Sequence, residues 1–272
     1  MRVGSYHLVD GASALLARFE HATVEDKLAE RKARRFRNLW VAALLGGIVL
    51  GFAGIVVPVL LRVAAVLAVL FVVFLVLAIR QSGHDLDDRK LGAVIRLLKV
   101  LGADIPRGER VALKVDFRDY TRGGQLQRQG GAFGPRVLSY QHGWLELRAR
   151  LADGSRVRIA VTELVKRKEK PKRKSTKVRL QAQSVVALSV RLAKPYGASE
   201  AVAQRLSGLP TPPSLLRRRV VARGRWVHAT VARTAPPVRS SQVPSESLVV
   251  GDDLLRALRW VYRGIAASRR AA

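Results

Sequence analysis

This chain of 272 residues contains no cysteine, which excludes disulfides, thiolate nucleophiles and Cys-ligated zinc and leaves nothing that points to an oxidising compartment. Acidic side chains are scarce, 20 Asp and Glu against 49 Lys and Arg. Of the five histidines, His7, His21, His84, His142 and His228, no two stand at metal-ligand spacing, and each reads as a surface or packed imidazole. A Walker loop, a dinucleotide glycine fingerprint and a nucleophile elbow are all missing. Asp116 and Asp119 fall on opposite sides of a regular strand, a poor arrangement for an acid and base pair. Asp85, Asp87 and Asp88 lack the remaining ligands of a calcium loop and read as helix N-terminal carboxylates. The expectation is no metal, no cofactor and a non-enzymatic role.

Long hydrophobic runs are what the chain does have. From Leu39 to Ile79 the only charge is Arg62, and one continuous helix of that length would extend roughly 60 Å, about twice a hydrocarbon core. Two spans, Leu39–Val57 and Val63–Ile79, fit instead, with Pro58 interrupting the helix and Arg62 snorkelling at an interface. Residues 39–79 are therefore expected to form a transmembrane helical hairpin. Lys and Arg crowd both flanks (Lys27, Arg31, Lys32, Arg34, Arg35 and Arg37 before; Arg80, Arg89, Lys90, Arg96 and Lys99 after), so both termini are expected on the cytoplasmic side of the inner (plasma) membrane. The apolar run begins too deep and is too long for a cleavable signal. Ala43, Gly47, Gly51 and Gly54 recur on one helical face and Ala64 and Ala68 on the next span, small-residue surfaces that let helices approach closely in lipid. They serve to close the hairpin or to join a homo-oligomer.

Residues 1–38 read as a cytosolic helical segment, Ser13–His21 followed by a second helix opened by a capping box of Thr23 and Asp26. In residues 80–103 an amphipathic run, Leu91, Val94, Ile95, Leu98 and Leu101, predicts a juxtamembrane helix after Asp85, Asp87 and Asp88. The period then changes to two. Val111, Leu113 and Val115 alternate with charge; Leu145, Leu147 and Ala149 lead through Asp153-Gly154 into Val157, Ile159 and Val161; a further strand pattern runs from Val178 to Leu192. A short helix Ser199–Ser207, two strands about Arg223-Gly224 and a helix capped by Asp252 complete residues 104–272. The fold class expected is a membrane hairpin plus a cytosolic α+β domain, an antiparallel β-barrel or β-sandwich of roughly seven strands with flanking helices. In this order of parts the chain resembles, in architecture alone, the membrane-anchored bacterial pleckstrin-homology-like proteins.

Residues 80–272 carry 40 Lys and Arg against 15 Asp and Glu, which predicts attraction to anionic surfaces. With 37 arginines against 12 lysines, part of that excess reflects GC-rich codons. Codon bias toward Arg does not explain the run at Lys166–Lys177, where six of the 12 lysines fall. In an extended chain Lys166, Lys168, Lys170, Lys172 and Lys174 project to one side, with Lys177 beyond them, and form a basic comb. Anionic lipid or an acidic protein is the expected partner. Nucleic acid is a weaker fit because the run has no base-stacking aromatic residue, and a solvated hairpin tip kept soluble by its charges has the same composition. The expected function is a scaffold or adaptor at the anionic membrane surface. The alternatives are a membrane-bound enzyme acting on a phosphorylated substrate through the Gly123–Gly134 loop with Arg122 and Arg128, and a membrane-tethered nucleic-acid-binding protein.

Overall fold

The computed structural model describes residues 4–55, 57–82, 86–129, 136–171, 176–193, 198–234, 237–238, 243 and 248–269. The chain divides into two compact units, one built on Glu20–Leu86 and the other on Gly4–Phe19 with Asp87–Ala272.

The first unit is a pair of helices. α1 (Ala12–Gly54) runs without a break from the sheet unit into the apolar run, and α2 (Pro58–Ser82) follows it. The expected capping box at Thr23 and Asp26 does not form: nothing between Ser13 and Val24 breaks the helix, and the buried Asp26 carboxylate instead accepts the backbone N–H of Leu86 at 3.0 Å. Ring contacts pair the two helices in antiparallel order, Phe36 with Phe74 and Trp40 with Phe71, centroids 6.4 and 5.6 Å apart. Both helices hold a stretch long and apolar enough to cross a membrane, Ala12–Ala53 and Arg62–Ile79. Their outward side chains are uncovered, Phe52 being 71% and Val66 59% exposed.

The second unit is one antiparallel sheet of eight strands with helices on one face. The strands are β1 (Ser5–Gly11), β2 (Arg110–Asp116), β3 (Gln125–Gln129), β4 (Arg136–Arg150), β5 (Arg156–Pro171), β6 (Thr176–Arg191), β7 (Leu216–Arg223) and β8 (Trp226–Thr234). Their order is β1-β2-β4-β5-β6-β8-β7, with β3 sharing the β2 edge of the long strand β4. Among the described residues no pairing joins β1 to β7, so the strands make an open sheet in place of a barrel or two-layer sandwich. Two strands lie where helix or loop was expected. β1 pairs along β2 from Ser5 opposite Asp116 to Gly11 opposite Arg110; β3 occupies the Gln-rich stretch after Gly124.

One sheet face buries the alternating residues Leu113, Leu147, Ile159, Leu188 and Val231. That face is covered by α3 (Asp88–Gly102), α5 (Ser199–Gly208) and α6 (Gly251–Arg269), α3 and α5 both packing on α6; the single turn α4 (Tyr120–Gly123) lies over β4. α3 buries the stripe Leu91, Val94, Leu98 and Leu101, and Asp87 caps it, accepting the N–H groups of Arg89 and Lys90 at 3.0 and 3.2 Å. At α6 the reach back to the N-terminus comes from Asp253, not Asp252: buried Asp253 accepts Val250 N–H at 3.2 Å and is held by Ser214 and Arg233. A β-bulge between Gly143 and Leu145 resets the register of β4. It turns His142, Trp144 and Leu145 all toward the helices, and each is buried.

Candidate functional site

The outer halves of β4, β5 and β6 with β3 form an arm that extends past the helix-covered sheet, because β5 and β6 pair over their whole length from Arg156 opposite Arg191 to Pro171 opposite Thr176. Period-two alternation puts Lys166, Lys168 and Lys170 on one face, and all three are exposed. Across the β5–β6 ladder Lys168 faces Arg179 and Lys170 faces Lys177. Like charges set opposite each other disfavour a sheet pairing. Lys172 and Lys174 lie outside the described residues.

Toward the sheet the same face becomes a trough of about 780 Å³. One cross-strand row through it runs Gln125, Gln141, Leu164, Gln183 and Thr234; the next runs Gln127, Ser139, Lys166 and Gln181. Arg218 also lines it, as the extra residue of the bulge between Arg217 and Arg219 in β7. The opposite face of the arm carries a small apolar cluster, Val165, Leu180 and Ala182 under Tyr120 of α4, Tyr140 and Val238.

A third feature, a buried ionic cluster between α3 and the sheet, was not legible in the sequence. Arg89 Nη2 meets Glu163 Oε1 at 2.7 Å, their side chains 16% and 4% exposed. Lys90, fully buried, donates from Nζ to the carbonyls of Arg118 at 2.7 Å and Asp116 at 3.3 Å. Both cations sit over the Trp144 ring, 5.8 and 5.9 Å from its centroid. Burial pushes the Lys90 ammonium down from its ordinary pKa while Glu163 and Asp87 pull it back up. Burial also opposes ionisation of Asp116, but hydrogen bonds from the Arg118 side chain and backbone outweigh it and hold the carboxyl at about 2. His142 Nε2 lies 3.5 Å from Asp116 Oδ2, and neither ring nitrogen has a hydrogen-bond partner among the described residues. Burial, seconded by the Lys90 charge, keeps this imidazole below its ordinary pKa and so neutral. Gly123 closes over it. A Cβ added there would stand 2.6 Å from His142 Nε2.

The small residues of the helix pair are only partly brought together. Gly47 faces α2, with the position of an added Cβ 3.7 Å from Leu67 Cβ and 3.9 Å from the Ala64 carbonyl, and Ala43 is buried. Gly51 looks into open space, Ala68 is exposed, and Gly54 is the last residue of α1. Of the expected phosphate loop Gly123–Gly134, residues 125–129 are strand and 130–134 lie outside the described residues. Among the described residues no group of three or more His, Asp or Glu is placed to hold a metal ion. No family model, curated protein or solved structure matches the chain.

Proposed function

We propose that the protein is a non-enzymatic scaffold or adaptor, held in the inner (plasma) membrane by α1 and α2 as a two-span hairpin and presenting its basic sheet unit to the anionic cytoplasmic surface. The observation that carries this reading is the arm itself: three lysines exposed on one face, opposite Arg179 and Lys177, at the end of a ribbon of strands. A stack of like charges held in register has its natural complement in a plane of anionic headgroups, where each cation contributes about 1 kcal/mol, less with salt. Only a few residues separate α2 from α3 in the sequence, so the hairpin and the sheet unit are joined by a short connection. Both helices present their apolar side chains outward, as lipid-facing helices do.

The test uses the full chain in phosphatidylcholine nanodiscs and measures its association with added vesicles with and without phosphatidylglycerol. Replacing Lys166, Lys168, Lys170, Lys172 and Lys174 by Gln removes up to about 5 kcal/mol, or near half of that after screening, which is close to a hundredfold in binding. Vesicle binding unchanged in the five-Gln variant would defeat the reading. Greater loss of binding to single-stranded nucleic acid than to vesicles would transfer the arm to a nucleic-acid role.

A further inference from the structure

The chain is poor in side-chain amides, with nine glutamines and one asparagine in 272 residues. Five of the nine, Gln125, Gln127, Gln141, Gln181 and Gln183, line the trough on the arm. They come from the consecutive strands β3 and β4 and from β6 further along the chain, and converge because the strands pair in that register. An exposed sheet face in so Arg-rich a chain needs only polarity, which Arg, Thr or Ser would supply; glutamine adds a carbonyl acceptor and two N–H donors on one side chain. That set matches a ligand whose groups both donate and accept, which is the property of a hydroxyl. The lining holds two cations, Lys166 and Arg218, and no carboxylate, so the complementary ligand is also an anion. Arg218 reaches the trough only because the β7 bulge inserts it, and bulges commonly serve to re-aim a side chain. Leu164 supplies an apolar floor of the kind on which the C–H face of a sugar ring rests, and Tyr140, which also borders the trough, packs against the apolar cluster of Val165, Leu180 and Ala182. A volume of about 780 Å³ lies within the usual range for small-ligand sites.

We propose that the trough binds a phosphorylated polyol, a sugar or cyclitol phosphate, with its hydroxyls on the glutamine amides and its phosphate between Lys166 and Arg218. The ligand is either a free phosphate ester or the same group exposed as a lipid headgroup. This site is independent of the lysine comb, with which it shares Lys166 alone.

The full chain in phosphatidylcholine nanodiscs is titrated calorimetrically with inositol monophosphate, with inositol and inorganic phosphate as separate controls. In a second arm it is mixed with vesicles carrying phosphatidylinositol or, at equal charge, phosphatidylglycerol. Saturable binding of inositol monophosphate about tenfold or more tighter than either control is expected. Preference for phosphatidylinositol over phosphatidylglycerol assigns the headgroup source, and equal response to the two lipids assigns the free ester. Gln181→Ala with Gln183→Ala lowers the affinity about tenfold at unchanged melting temperature. Arg218→Gln, exposed on its bulge, does the same and serves if the double variant fails to fold. Lys168→Gln with Lys170→Gln leaves inositol monophosphate binding in place, which separates the trough from the comb. Absence of saturable binding in both arms, equal affinity for inorganic phosphate alone, or indifference to the Gln and Arg218 substitutions would each overturn the proposal.

Discussion

Arg89 on α3 and Glu163 on β5 form a 2.7 Å ion pair across the interface between the covering helix and the sheet, at the point where the helix-covered half of β5 gives way to the exposed arm. The same guanidinium donates to the Val249 carbonyl at 3.0 Å, so one side chain links α3, β5 and the approach to α6. Two cations and Trp144 crowd the site, and two carboxylates share their charge: Glu163, and Asp87 at 3.2 Å from the same Arg89 nitrogen. Truncating one member of a buried pair that has no other partner typically costs about 3 to 5 kcal/mol, and Asp87, which still faces Arg89, keeps the loss of Glu163 below that. Glu163→Ala is therefore expected to lower the unfolding free energy by about 1 to 3 kcal/mol, read as a lower denaturation midpoint. A loss below about 1 kcal/mol would show that water already screens Arg89.

Gly123 answers to a different constraint. Its surroundings would put an added Cβ 2.6 Å from His142 Nε2 and 3.0 Å from Asp116 Oδ2, on side chains that are themselves buried and cannot retreat. Gly123→Ala is expected to cost about 1 to 3 kcal/mol by overpacking. Because the clash is with one ring, the penalty should be non-additive with His142→Ala, the double variant recovering much of it. Strict additivity would place the strain elsewhere in the turn.

Acid sensitivity follows from the same cluster. His142 has a folded pKa below its ordinary 6.5, with burial the main cause and Lys90 the second, while Asp116 and Glu163 partly offset them. As pH falls below 6.5 the unfolded chain takes up a proton that the folded chain refuses, so stability present above that pH is progressively lost. Asp116 acts lower down: its pKa falls from 3.8 to about 2, so its ionised form contributes about 2 kcal/mol above the unfolded value, lost as pH drops through about 2. Denaturant midpoints between pH 7.5 and pH 2 (about these limits) should decline in two stages, and His142→Phe should remove the upper one. A single late decline in the unsubstituted protein would contradict the assignment to His142.

Much of this architecture was legible in residue periodicity. The alternation at Val111–Val115, Leu145–Ala149 and Val157–Val161 fell on strands, the heptad-like stripe at Leu91–Leu101 on a buried helix face, and Asp87 on its cap. What escaped was set by tertiary pairing. Ser5–Gly11 is too short and mixed to announce a strand, and becomes one because β2 offers it a free edge. Gln125–Gln129 carries turn-like neighbours and is drawn into extension by β4. Trp144 marks a register shift that no period-two template contains. The lysine run stood out by composition, whereas the glutamines that share its face were individually inconspicuous and acquire meaning only from the register that gathers them. The ionic cluster was hidden for the same reason: Lys90 lies in a charged stretch of sequence, and only the packing of α3 on the sheet buries it.

Topology offers the most direct test of the membrane reading, and the chain is well suited to it because it has no native cysteine. The excess of Lys and Arg on both flanks of the apolar run, against Arg62 alone near the start of α2, predicts that residues before α1's apolar half and after α2 stay in the cytoplasm. Single cysteines at Ser5, Leu60 and Ser245 report the three segments in question, on the two sides of the membrane. In intact cells an impermeant thiol reagent should reach only the Leu60 position, and permeabilisation should expose the other two. Labelling of Ser5→Cys or Ser245→Cys in intact cells would invert or abolish the hairpin. Since the comb requires the sheet unit on the cytoplasmic side, that result would also remove the anionic leaflet from reach of Lys166, Lys168 and Lys170.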